Sequence, residues 1–168
     1  MALTDAQLLL FRTALLAETD QELVAYRTNG QTPLIAEWYS RFTPTYWVWR
    51  SDVSRSEIYN NISPDGTTWN WTTYKNQGAT EQNAWVQMFM GDRADFSKAN
   101  LRAGVAAIFA GSAQANAQRD HVLSMGRRLA RKIEQIMAVG AGTTLAPASM
   151  GYEGQLSEYD VTRALALP

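Results

Sequence analysis

The sequence predicts a mainly α chain, a helix bundle with an extended C-terminal arm. Two observations carry this. Apolar residues recur every three or four positions, between helix-capping signals, through most of the first 139 residues. After Gly140 that periodicity gives way to glycine, threonine and proline. The expected organisation is therefore a helical body over 1–139 and an extended docking arm over 140–168.

Taken in order, Thr4 caps a first helix, with Gln7 at the capping-box position and Leu8, Phe11, Leu15 and Leu16 on one face. Thr19 with Glu22 opens a second helix through Leu23, Val24 and Tyr26, stopped at Asn29-Gly30. Thr32-Pro33 starts a third, since proline loses nothing at the first helical position; Pro44 ends it. Residues Tyr46 to Arg50 are aromatic and β-branched and read as extended. Ser54 and Glu57 form another capping box, and Ser63-Pro64-Asp65-Gly66 is a turn. The segment Thr67 to Tyr74 fits either a loop or a short helix.

Thr80 is expected to cap a helix holding Trp85, Met88 and Phe89, closed by Gly91. Ser97 opens the next, with Leu101, Val105, Ile108 and Phe109. Gly104 inside it costs about 1 kcal/mol relative to alanine unless a close neighbour needs the space. The longest helix is expected from about Ala113 to Ala138, striped by Val122, Met125, Leu129, Ile133 and Ile136. A short helix returns over Glu158 to Leu165.

The chain has 168 residues, 46% hydrophobic and 18% charged, enough for a real core and too apolar for disorder. Its net charge of -1 argues against a dedicated nucleic-acid binder. With no cysteine, disulfides, Cys-ligated zinc and thiol nucleophiles are excluded, which fits a reducing compartment. The N-terminus lacks a basic n-region, no stretch reaches membrane-span length, and the sequons at Asn61 and Asn70 read as chance matches. The six tryptophans, from Trp38 to Trp85, read as core.

Chemistry-bearing patterns are weak. His121 is the only histidine and reads as packed, leaving no metal set or catalytic triad. Gly140-x-Gly142 lacks the Gly-Lys-Ser/Thr ending of a phosphate loop. The carboxylates Asp92 and Asp95, and Glu18, Asp20 and Glu22, sit where capping and the helix dipole place acids. Neither Asp92 nor Glu153 has an identifiable catalytic partner. No enzyme activity and no cofactor are expected. The basic residues Arg127, Arg128, Arg131 and Lys132 are expected on one helix face, with Arg119 nearby, as a solvated face or a surface for an acidic partner or a DNA backbone.

Three segments then carry a resemblance. The first is Tyr46-Trp47-Val48-Trp49-Arg50-Ser51-Asp52-Val53 followed by Glu57-Ile58. The second is Asn100-Leu101-Arg102-Ala103-Gly104-Val105 with Ile108-Phe109-Ala110-Gly111. The third runs from Arg127-Arg128 through Glu134 to Gly140-Ala141-Gly142-Thr143, Pro147 and Gly151-Tyr152-Glu153-Gly154. In this order they cover most of the chain after residue 45 and resemble small virion proteins of tailed bacteriophages, in particular head–tail connector (adaptor) proteins.

The resemblance implies a homo-oligomer, a dodecameric ring beneath the portal, contacting the portal protein and further neck or tail proteins. It implies a virion location after synthesis in the host cytoplasm, no catalytic residues, and at most non-specific contact with passing DNA. A C-terminal segment that reaches out would dock by strand addition. Its expected contacts are Thr143, Pro147, Met150, Tyr152, Leu156 and Tyr159. The basic residues are assigned to a subunit interface rather than the lumen, because phosphate contacts would drag on moving DNA. Another virion part, such as a head-closure or tail-completion protein, and a helical nucleic-acid-binding regulator are the alternatives.

Overall fold

A computed structural model describes residues 2–168. In chain order the elements are α1 (Asp5–Ala17), α2 (Gln21–Thr28), α3 (Thr32–Ser40), β1 (Phe42–Trp49), β2 (Val53–Ser54), α4 (Arg55–Asn60), α5 (Trp71–Lys75) and α6 (Ala79–Met88). Then follow β3 (Arg93–Ala94), α7 (Ala99–Ile108), α8 (Ala113–Met125), β4 (Arg127–Arg131), α9 (Lys132–Met137) and α10 (Glu158–Leu165). The fold is mainly helical, with two small two-stranded sheets, β1–β4 and β2–β3.

Local chemistry explains the helix starts. Thr4 and Gln7 close the expected capping box on α1, and Ser54 and Glu57 close another on α4. The cap of α2 is Asp20, one residue after the expected Thr19; its carboxylate accepts from the Glu22 and Leu23 amides at 3.0 and 3.2 Å. A carboxylate outcompetes a hydroxyl here because it also meets the positive end of the helix dipole. The ambiguous 67–74 segment resolves into a loop and then α5, with Asn70 accepting from the Thr73 amide. Gly104 has its close neighbour: a Cβ there would run into the Met88 terminal methyl.

The chain forms two compact units that do not divide at Gly140. One unit combines Met1–Val48 with Leu129–Pro168, and the other is Trp49–Arg128, inserted between β1 and β4. The first is built on α1, α3, α9 and α10 around Leu8, Phe11, Leu15, Ile35, Ile133, Leu156 and Val161. In the second, α4, α5 and α7 pack on α8, and α6 on α7, around Trp69, Trp85, Phe96, Phe109 and Val122.

Two expectations are corrected. The single helix over 113–138 is α8, then strand β4, then α9. The chain turns at Gly126, where a Cβ would collide with the Phe96 ring, and the following residues pair with β1. The apolar spacing survives the break by coincidence: Val122 and Met125 belong to one core, Ile133 to the other. Nor is there an extended C-terminal arm. Tyr152, Leu156, Val161 and Ala164 are all buried in the core of the first unit, beside the N-terminal helices. The Leu3 amide donates to the buried Asp160 carboxylate at 3.0 Å, joining the two ends of the sequence. Burying those apolar side chains outweighs leaving the segment free in water.

Candidate functional site

The glycine-rich stretch after α9 lies along β1. The Trp47 amide donates to the Gly142 carbonyl at 2.7 Å, and the Ala148 amide donates to the Trp47 carbonyl at 2.9 Å. Gly142 has φ +67°, and any side chain there would meet the Tyr46 ring, so glycine is required twice over. The Tyr46 hydroxyl donates to the Gly140 carbonyl at 3.0 Å. Gly142 lets backbone lie flat against an aromatic ring and Gly140, at φ +133°, lies close to Ala148, which accounts for both glycines without a phosphate.

Of the six residues assigned to the docking arm, Pro147, Tyr152 and Leu156 are buried and Met150 is half-buried. Thr143 and Tyr159 are exposed, as is Leu145 between them in sequence, at 94%. Of the six, those available to a partner are therefore Thr143, on the 143–145 bend, and Tyr159, on the outer face of α10. The structure does not bring the six together.

The basic residues do not share a helix face either. Arg127 and Arg128 fall in the second unit, Arg131 and Lys132 in the first, and the first three lie on β4. Each is half-buried. Arg127 is paired with Asp65. Arg131 donates to the Ser40 carbonyl at 2.6 Å and lies 4.6 Å from the Phe42 ring centre. Arg119, on α8, pairs with Asp120. Strand alternation, rather than helical spacing, decides where these side chains point.

Lys132 begins α9 beside a cleft of about 410 Å³ in the first unit, lined by Glu18, Asp20, Trp38, Tyr39, Thr45 and Gln135 among others. Its Nζ stands 2.9 Å from the centre of the Trp38 ring. Burial pulls the Lys132 amine below its ordinary range, against the opposing pull of Asp20. Trp38 meets Tyr39 edge-on at 4.8 Å, and Phe11 meets Tyr39 at 5.0 Å. The Tyr39 hydroxyl is buried with no hydrogen-bond partner among the described residues, and burial pushes its titration up. The carboxylates of the rim are engaged locally: Glu18 accepts from the Thr19 and Asp20 amides, and Asp20 caps α2. An ammonium on an aromatic wall beside capping carboxylates can receive a polar side chain from a partner. Of the four basic residues expected as an interface, Lys132 alone lies here, beside the capping carboxylates Glu18 and Asp20; nothing local in the sequence marks the Tyr39 hydroxyl as unpaired.

The residues that carried the resemblance have structural work in the second unit. Arg50 bonds Asp52 at 3.1 Å and Glu57 at 2.9 Å, and Glu57 is also the capping-box residue of α4. Desolvation alone would raise the Glu57 carboxyl, but the Ser54 amide and Arg50 hold it below its usual range. The Arg102 guanidinium lies over the Trp49 ring at 4.6 Å and donates to the Phe96 and Ser97 carbonyls at 2.6 and 2.8 Å. The first two segments therefore meet in space.

His121 is buried as expected. One ring nitrogen lies 2.9 Å from the Ile58 carbonyl and the other 3.1 Å from the Thr67 hydroxyl. Among the described residues no group of three or more His, Asp and Glu side chains stands together as metal ligands, and no helix is long and apolar enough to cross a membrane. Asp95 closes a turn by accepting from the Ser97 amide at 2.9 Å.

On the outer face of α1, Ala6, Leu9, Leu10, Thr13, Leu16 and Ala17 are all exposed. Leu9, Leu10 and Leu16 are 54, 55 and 47% accessible, and no charged residue interrupts them. Comparison with family models, with curated proteins and with solved structures finds no match in any of the three.

Proposed function

We propose that this chain is a virion structural protein, a head–tail adaptor that assembles as a ring between the portal and the rest of the neck, and that it acts by binding rather than by catalysis. The reading rests on the three ordered segments that resemble connector proteins. The observation that supports assembly is the uncharged apolar face of α1. Three leucines at helical spacing are left to water on a helix whose opposite face is fully buried. A contiguous apolar patch of this kind is what a subunit contact covers. The occupant proposed is a second copy of this chain, with the exposed 143–145 bend and the Lys132 cleft as further contacts.

The test is the mass of the full chain by light scattering and sedimentation, alone and with portal rings. The adaptor reading expects a closed oligomer or co-sedimentation with portal. The double variant Leu9→Gln, Leu16→Gln should stay folded and lose that association. A chain that remains monomeric and ignores portal rings at all concentrations would end the adaptor reading. Assembly unaffected by the double variant would remove α1 from the interface. Subunit stoichiometry in purified particles separates an adaptor from a head-closure or tail-completion part.

A further inference from the structure

In the second unit, two adjoining pockets of about 180 and 520 Å³ lie between α5 with its preceding loop and the N-terminal turn of α8. They share Asn70, Thr73 and Gln114. Every side chain lining them is a hydroxyl, a carboxamide, an alanine or a glycine, and none carries a charge. Gln118 lines the smaller pocket and is 2% exposed. Its Oε1 accepts from the Asn70 amide at 2.9 Å, which fixes the orientation of the carboxamide. Its Nε2 is left buried with no partner among the described residues. An unsatisfied buried donor is costly unless something occupies the site and accepts from it.

The first turn of α8 adds donors. The Ser112 hydroxyl takes the Ala115 amide and the Ser112 carbonyl takes the Asn116 amide, so the amides of Ala113 and Gln114 precede the first intrahelical bond. Opposite them, Asn70 caps α5 through its Oδ1, leaving its nitrogen as a donor. Thr72 and Asn76 add groups that both donate and accept.

This lining selects by elimination. A charged ligand would find no charged side chain in it, and an anion only the partial charge of the α8 N-terminus. A nucleic acid would find neither cations for phosphates nor an aromatic plane for bases. A peptide would bring side chains that need apolar pockets, and the lining offers only alanine and threonine methyls. A neutral ligand dense in groups that both donate and accept matches it. We infer that this cleft is a binding site for a neutral saccharide, whose hydroxyls accept from Gln118 Nε2 and the α8 first turn and donate to the facing carboxamides and threonines. This site is independent of the assembly surface on the first unit.

The experiment is titration of the full chain, followed by amide NMR, with neutral trisaccharides of α-glucose, β-glucose and N-acetylglucosamine. Trialanine and a short single-stranded DNA serve as competitors from the other classes. At least one saccharide should shift the Asn70, Thr73, Gln114 and Gln118 signals with millimolar affinity. Gln118→Glu keeps the shape and the acceptor for Asn70 but removes the donor, and should weaken binding about tenfold, the worth of one well-made hydrogen bond. Because a buried carboxylate can itself unfold the unit, Gln114→Ala on the exposed rim is the second variant, with a loss of about threefold. Absence of shifts at these residues with all three saccharides would overturn the inference. So would binding there by the peptide or DNA instead, or saccharide binding unchanged in Gln114→Ala.

Discussion

The two units solve the problem of making a core in opposite ways. The inserted unit, Trp49–Arg128, is one continuous stretch whose core is centred on an aromatic cluster: Trp69 stacks on Trp85 at 5.3 Å, and Phe109 meets both edge-on. The other unit is assembled from the two ends of the chain, and its core is mostly aliphatic, closed by contacts such as Leu3 to Asp160 across 157 positions. A core made of neighbours in sequence announces itself in local pattern. A core made of the two ends does not, because the segment that completes it needs no periodicity of its own.

The most severe way to break that comparison is to remove residues 140–168. The loss of Tyr152, Leu156, Val161 and Ala164 from the first core exceeds several large-to-small core substitutions of about 2–5 kcal/mol each, comparable with a whole domain's stability. Amide exchange should show the first unit unfolded while the Trp85 region stays protected. A segment serving only as a docking arm would leave both units intact.

Trp85→Ala tests the other side. Trp85 is fully buried, and its indole donates to the Tyr59 hydroxyl at 2.8 Å. A loss of about 3–5 kcal/mol is expected in chemical denaturation, confined to the signals of the second unit. Loss spread equally over both units would mean that they do not unfold separately.

Gly142→Ala should cost about 1–3 kcal/mol, because it combines a left-handed backbone with a collision against Tyr46. Gly30→Ala has a similar φ of +65° but nothing within contact of the added carbon, so it should cost less. Equal losses at the two glycines, measured by thermal unfolding, would remove the close approach to Tyr46 from the account.

The smallest effect is expected at Leu9→Gln with Leu16→Gln. Both side chains are about half exposed, so folding stability should change by under about 0.5 kcal/mol per site while association is lost. A large fall in Tm would mean that these leucines support the core rather than a partner.

Two helix starts were legible because capping is local, Thr4 with Gln7 and Ser54 with Glu57, whereas the caps expected at Thr19, Thr80 and Ser97 fall instead at Asp20, Gly78 and Lys98. The extended reading of Tyr46 to Arg50 matched only the second half of β1, whose first residues fall in the third helix as read from sequence, while His121 and Trp85 read correctly as core from residue chemistry. The candidate sites were less legible. The basic residues were placed on one helix because Val122, Met125, Leu129, Ile133 and Ile136 keep helical spacing through a turn that only the Phe96 ring against Gly126 reveals. The unpaired Gln118 nitrogen and Tyr39 hydroxyl have no signature in sequence at all, since a missing partner is a fact about neighbours.

By itself, then, the amino-acid order determined a mainly helical chain, its caps and turns, and the aromatic and aliphatic residues fit for a core. Backbone hydrogen bonding and side-chain shape act within a few residues, so they can be read along the chain. Tertiary structure alone decided that residues 140–168 close a core with the N-terminus, that residues 49–128 form an inserted unit, and which polar groups are left unsatisfied. Those outcomes depend on which distant surfaces exclude water from one another, and burial is not a property of any one segment.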